Sequence, residues 1–198
     1  MSRRAETGVY AVLLILILIL MLPALPSTAA TPVAPGGAGA RPSVEGCMRE
    51  WLFNGIWRLR VLKIEAIRKP NSGNPGTPGW GVTTEIRNGS RRTLRMRITG
   101  ISGTGRGVDL VLPDGTPLIL DVRDFQTIVS RNIPQGGGIV HQLKYYYPLR
   151  TPDAQVRKPT KFLLEIDPRQ LRNYRTLTAG AGYTIANPSL RVRLECAR

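Results

Sequence analysis

From Trp57 to Ile67 (WRLRVLKIEAI) apolar and charged residues alternate, the two-residue period of a half-buried β-strand. Trp57, Leu59 and Val61 share one face, whereas Leu62, Ile64 and Ala66 take up the opposite phase. That change of phase predicts a bulge, or a strand that passes from one sheet to another. The same alternation recurs in Val82, Thr84 and Ile86, in Leu94, Met96 and Ile98, and in Val108, Leu110 and Leu112. Pro113-Asp114-Gly115 then signals a hairpin turn into a strand from Leu118 to Val122. Further strands are expected at Gln126–Ser130, Ile139–Tyr147, Lys161–Ile166 and Leu190–Cys196. No segment after the N-terminal region holds a 3.6-residue period over ten residues. Asp167–Tyr174 (DPRQLRNY) suits a single helical turn, with Pro168 in the first position after an Asp cap. Roughly eight to nine short strands broken by Gly, Pro, Asn and Asp turns predict an all-β antiparallel sandwich, with a barrel as the alternative. The absence of an internal repeat disfavours a propeller or solenoid.

The N-terminus follows another pattern. Arg3 and Arg4 precede an uncharged apolar run, Val9–Leu22, and then Pro23, Pro26 and the small residues Ser27 to Ala30. A basic region, an apolar region and a small-residue site form the order of a secretory signal peptide. We therefore expect a signal peptide over residues 1–30, cleaved after Ala29 or Ala30. A retained anchor is the competing reading, although fourteen apolar residues fall short of the roughly 20 that span a bilayer. Residues 31–44 (TPVAPGGAGARPSV) read as a flexible Pro/Gly/Ala linker, and residues 45–198 as the folded domain. The expected location is extracytoplasmic: secreted, periplasmic or on the cell surface.

Charge and cysteine content sharpen this picture. The 198 residues carry 28 Lys plus Arg against 13 Asp plus Glu, a formal charge of +15. Residues 1–30 hold only Arg3, Arg4 and Glu6, so the excess belongs to the domain and not to its leader. Cys47 and Cys196 frame that domain, and in an exported chain their one intramolecular pairing is a disulfide. Two unpaired thiols, or a pair used to dimerise, are the alternatives. Two cysteines so far apart, with a single histidine in the chain, make a poor zinc site.

The runs NGIWRLRVLKIEAI, GVTTEIRNGS, VDLVLPDGTPL and IPQGGGIVHQLKYYYPL resemble immunoglobulin-like, telokin-like sandwich domains of exported bacterial proteins. The likeness covers about residues 50 to 195. It implies an Ig-like β-sandwich and supplies no catalytic residues to carry over. High arginine content, the terminal cysteine pair and two extra Gly-rich loops depart from the common pattern.

Chemistry-bearing motifs are sparse. Gly100-Ile101-Ser102-Gly103 starts like a nucleophile elbow, but Thr104 stands where the second glycine is required. Gly103 to Gly107 lacks the phosphate-loop pattern and a following helix, and reads as a loop between strands, as does Gly136-Gly137-Gly138. His141 shares the phase of Ile139, Leu143 and Tyr145, which fits a packed strand histidine with one hydrogen bond. Asp109, Asp114, Asp121 and Asp124 fit no calcium-loop spacing. We expect no enzyme, no cofactor and no metal site. Asn88-Gly89-Ser90 matches a glycosylation sequon but is better read as a turn.

The basic residues carry the functional expectation. Arg87, Arg91, Arg92, Arg95, Arg97 and Arg106 lie within 20 residues that contain no acid. If Arg95 and Arg97 share the outer face of a strand, next to similar pairs at Arg58/Arg60 and Arg191/Arg193, they form a ladder that attracts polyanions. We therefore expect Arg87, Arg91, Arg92, Arg95 and Arg97 to contact an anionic polymer of the cell envelope. A solvated face that blocks edge pairing is the competing reading. Tyr145 and Tyr147 project to one side of a strand and are candidates for an aromatic contact face. The alternatives are a protein-interaction module that engages another exported protein and, less favoured, a carbohydrate-binding module or hydrolase. No cytoplasmic nucleic acid partner is expected, and a membrane contact only if the N-terminal segment is retained.

Overall fold

The computed structural model describes residues 43–71 and 74–196. The expected signal peptide and nearly all of the linker lie outside the described residues. Two β-sheets enclose one hydrophobic core, an all-β sandwich with a few short helices. Among the described residues, nine strands run in chain order as β1 (Val44–Cys47), β2 (Leu52–Phe53), β3 (Trp57–Asn71), β4 (Asn74–Asn88), β5 (Val108–Val111), β6 (Ile119–Leu120), β7 (Gly138–Tyr146), β8 (Lys161–Leu164) and β9 (Leu190–Arg193). One sheet has the order β1-β9-β8-β5 and the other β2-β3-β4-β7-β6. Among the described residues, no helix is long and apolar enough to cross a membrane.

The phase change in the first long strand is a bulge. The β3–β4 register slips between Val61 and Lys63 while β3 stays in its own sheet. Before the slip, Trp57, Leu59 and Val61 are fully buried, and Ile64 packs against the core after it. The Pro113–Gly115 turn also forms. Gly115 N donates to Leu112 O at 3.0 Å, and Asp114 Oδ1 accepts from Thr116 N at 2.9 Å. Past the turn, Leu118 N still bonds Leu110 O, but Ile119 and Leu120 then pair with Tyr146 and Tyr145 in the opposite sheet. The hairpin thus becomes a crossover between layers.

Two expected strands are helical. Leu94–Ile98 is not a strand: only Leu94 bridges, to Ile133, and Met96–Thr99 forms a 3₁₀ helix. Leu94, Met96 and Ile98 are all buried, so the alternation reports burial correctly but not backbone shape. Gly100 ends this helix at a φ of 104°. Its amide carbonyl accepts from Asp167 N at 3.0 Å, and a Cβ there would run into the Asp167 carbonyl. Gln126–Ser130 lies mostly within helix α1 (Val122–Val129). Its β-branched Thr127, Ile128 and Val129 favour a strand locally. Phe125, Ile128 and Val129, spaced three and four apart, bury one helical face, and that packing prevails. The helical turn expected after Asp167 is present as α2 (Arg169–Asn173), followed by α3 (Arg175–Thr178).

Cys47 and Cys196 are disulfide-bonded, with Cα atoms 6.0 Å apart. The bridge closes over β1 and β9, which pair in parallel from Val44↔Leu190 to Cys47↔Arg193. Such a bond is characteristic of oxidising compartments.

Candidate anion-binding cleft

Tyr145 and Tyr147 do not form a contact face. Both continue the inward phase of Leu143 and lie in the core at 0% and 6% exposure. Their hydroxyls bond inside the fold, Tyr145 Oη to Val108 O at 3.3 Å and Tyr147 Oη to Arg157 O at 2.7 Å. Burial raises the Tyr145 pKa well above the phenol range, and the nearby Asp109 charge adds to it. Tyr146 takes the outward phase, with the Lys69 ammonium 5.3 Å from its ring centre.

The sequon asparagine is likewise consumed by the fold. Asn88 is buried, donates to Arg92 O and Ile133 O, and accepts from the Ser90 amide and hydroxyl. His141 meets Asp124 on α1, Nε2 to Oδ2 at 3.1 Å, and Asp124 also lies 3.8 Å from Lys144 Nζ. Asp114 accepts from Thr116 N and Asp124 meets His141, and no metal-competent group of three or more His, Cys, Asp or Glu occurs among the described residues.

The expected arginine ladder is dispersed by the 3₁₀ helix, which turns Arg95 and Arg97 off any strand. Arg95 Nε donates to Asn132 Oδ1 at 2.7 Å. Arg91 is exposed in the turn after β4. Arg87 lies on the outer face of β4, where Glu85 bridges it to Arg60, both at 2.6 Å. Arg60 and Arg87 lie over Trp51, and Arg58 over Phe53. Burial pushes the Glu85 carboxyl up, but the two guanidiniums outweigh it and hold the group below its ordinary value. The single Glu85 carboxylate is thus shared by Arg60 and Arg87, while Arg58 has only the Phe53 ring.

Arg97 goes elsewhere. It lines a cleft of about 830 Å³ with Arg106, Arg169 and Arg191, against the carboxylates of Glu165 and Asp167. The walls are built by close main-chain contacts. Glu165 N donates to Gly107 O at 2.7 Å and Asp167 N to Gly100 O, so the Gly100–Gly107 loop runs along the continuation of β8. Ser189 Oγ accepts from Ile166 N at 3.2 Å and ties in the approach to β9. Asp167 is occupied by its own neighbour: Arg169 donates through its main chain, Nε and a terminal nitrogen. Those hydrogen bonds hold the Asp167 carboxyl below its ordinary value. Arg191 reaches Glu45 at 3.3 Å. Arg97 and Arg106 have no ion-pair or hydrogen-bond partner among the described residues.

A second cleft, of about 660 Å³, shares Pro168 and Arg169 with the first. Arg172 and Arg175 line it beside Leu171, Tyr183 and Ile185, without a carboxylate. Arg92 Nε donates to Ala179 O at its wall. Tyr183 spans the two regions by donating its hydroxyl to Thr99 O, and its burial raises its pKa. Six arginines thus line the joined clefts against two carboxylates. Of the residues expected from sequence, Arg97 lines the first cleft and Arg92 supports the wall of the second through Ala179, whereas Arg87, Arg91 and Arg95 line neither. Arg169, Arg172 and Arg175 were missed, and Arg191 was reached only as part of a strand ladder. The three-residue spacing of Arg169, Arg172 and Arg175, directly after Asp167-Pro168, was the available signal.

One acid near this cleft opposes folding. Asp109 on β5 has a raised pKa, through burial and then through the charge of Glu165. Its ionised form is disfavoured in the folded state. The corresponding stability is present below the ordinary value of 3.8 and is lost as pH rises through the elevated folded value. Asp109→Asn is therefore expected to raise the melting temperature at pH 7, with the gain vanishing towards pH 3. A gain that persists unchanged at low pH would exclude this cause.

No protein-family model and no curated protein matches the sequence. Solved structures that this chain resembles include the yjhA protein from Bacillus subtilis, at 14% identity and a TM-score of 0.45, over 75% of this chain and 99% of that one. Another is an uncharacterised β-sandwich protein from Clostridium difficile 630, at 10% identity and a TM-score of 0.41, over 79% and 97% of the two chains. At these values nothing about ligand or activity transfers to this chain.

Proposed function

We propose that this protein is an exported, non-catalytic binding domain of the cell envelope, of the Ig-like, telokin-like class. It holds an anionic polymer of the wall or membrane surface in the arginine-lined cleft. The observation that carries this reading is the pair Arg97 and Arg106, two guanidiniums that form no ion pair among the described residues, in a cleft where Arg169 and Arg191 bring the arginines to four against the two carboxylates of Glu165 and Asp167. A free guanidinium presents a planar fork of donors that suits phosphate, sulfate or carboxylate oxygens. The polymer replaces the missing carboxylates, and the concave wall keeps several donors convergent on it. The signal-like N-terminus and the disulfide support export.

Retention on immobilised heparin or a phosphate polymer tests this reading. Arg97→Gln/Arg106→Gln is expected to elute at distinctly lower salt. The slope of log affinity against log salt falls by about one for each phosphate contact removed. Unchanged elution of the double variant would reject the cleft as the site.

A second reading rests on Trp51 and Phe53, which are 39% and 41% exposed on the outer face of the five-stranded sheet. That face suits another exported protein. Its signature is a partner whose capture is insensitive to salt and to Arg97→Gln/Arg106→Gln but is lost on Trp51→Ala.

A further inference from the structure

The two clefts differ in character although they share a wall. The first is lined by polar groups, among them Ser102, Gln170 and Ser189, together with its arginines. The second is floored by Leu171, Ala181 and Tyr183, and Ile185 stands 37% exposed at its edge. Arg169 is common to both, and Arg172 and Arg175 border the apolar one. Volumes of about 830 and 660 Å³ each fall in the range of small-ligand sites. A wholly polar polymer satisfies the first cleft and leaves the second in water. An apolar ligand brings no acceptor to Arg97 and Arg106.

We propose that the joined clefts take a phosphate-headed membrane lipid, its phosphate held by Arg97 and Arg106 and the start of its alkyl chain lying on Leu171 and Ile185. This rests on reading the polar cleft as an anion site, and gives that site a single lipid headgroup rather than a polymer as its occupant. The arginines that border the apolar cleft strengthen the fit. Their methylene stems extend the apolar surface, while their guanidiniums reach the charged headgroup layer. No covalent step is involved; the lipid is bound, and the domain is drawn to anionic membrane.

Titration of the protein with methyl, butyl, hexyl and octyl phosphate, each below its micelle concentration, tests the inference. Affinity is expected to tighten roughly two- to fourfold per added methylene until the apolar cleft is filled. Ile185→Asn should flatten that dependence. Arg97→Gln/Arg106→Gln should weaken every member of the series by a similar factor. Val140→Asn, at an exposed position on the other sheet, should leave the whole series unchanged. An affinity independent of chain length, with heparin retention still dependent on Arg97 and Arg106, overturns the lipid inference and spares the anion site. A chain-length dependence that survives Ile185→Asn undiminished also overturns it. Failure of both heparin and alkyl phosphates to respond to the arginine substitutions removes the anion site itself.

Discussion

Reduction of the Cys47–Cys196 bond is expected to lower the stability of the domain by about 5 kcal/mol. The bridge spans 149 residues. In the chain-entropy model, opening a loop of that size restores nearly the largest amount of freedom a single disulfide can remove from the unfolded chain. Cross-links of this kind contribute about 2–5 kcal/mol when removed from exported domains. The loss should concentrate at one place. β1 is only four residues long and is held by its parallel pairing with β9, so the covalent tie supplements a thin hydrogen-bonded edge. Urea denaturation with and without reductant, and of Cys47→Ser/Cys196→Ser, measures the effect. Superimposable midpoints would show that the bridge is an accessory rather than a staple.

Truncation of Trp57 to Ala is expected to cost about 3–5 kcal/mol, the usual penalty for a large buried aromatic. Trp57 is fully buried, and its Nε1 donates to Thr99 Oγ1 at 2.8 Å. Thr99 in turn donates to Met96 O and, through its carbonyl, accepts from Tyr183. This chain of bonds ties the core of the five-stranded sheet to the 3₁₀ helix that carries Arg97, and then to the wall of the second cleft. Trp57→Phe keeps most of the ring volume but removes that donor, at a cost of about 1–3 kcal/mol. Because Thr99 loses its anchor, the Phe variant should also elute from heparin at lower salt, although Trp57 is remote from any ligand. Chemical denaturation and column retention of both variants check this. A Phe variant with wild-type retention would mean that the helix is positioned by its apolar contacts alone.

Much of the fold is legible where one physical requirement dominates. The alternation in Trp57–Ile67 marks strand, inward face and bulge together, because a pleated strand with one buried side admits no other arrangement of those residues. Leu94–Ile98 and Gln126–Ser130 are different. Their buried residues are identifiable, but a short 3₁₀ helix or an eight-residue helix buries the same side chains as a strand does. The choice between them falls to their neighbours: Asp167 packed against Gly100 in one case, and the space beside β7 in the other. The tyrosine run fails for a related reason. Alternation says that Tyr145 and Tyr147 share a side, and only the position of the other sheet decides that this side is the core.

The cleft was half visible. The acid-free run from Arg87 to Arg106 draws attention to Arg97 and Arg106, which are unpaired. The same run includes Arg87, which Glu85 neutralises, and Arg95, which Asn132 binds. Local charge density does not distinguish a satisfied guanidinium from a free one, since the neutralising group can come from any strand. By itself the sequence determined the predominantly β character of the fold, which residues of its long strands share a side and the cysteine pair that frames it. Those follow from periods and counts that chain geometry makes compulsory. Tertiary structure alone decided which arginines converge. Arg97 and Arg106 meet Arg169 and Arg191 because main-chain bonds from Asp167 to Gly100 and from Glu165 to Gly107 bring segments far apart in the chain into one wall, and that pairing is a property of distance in space rather than of order along the chain.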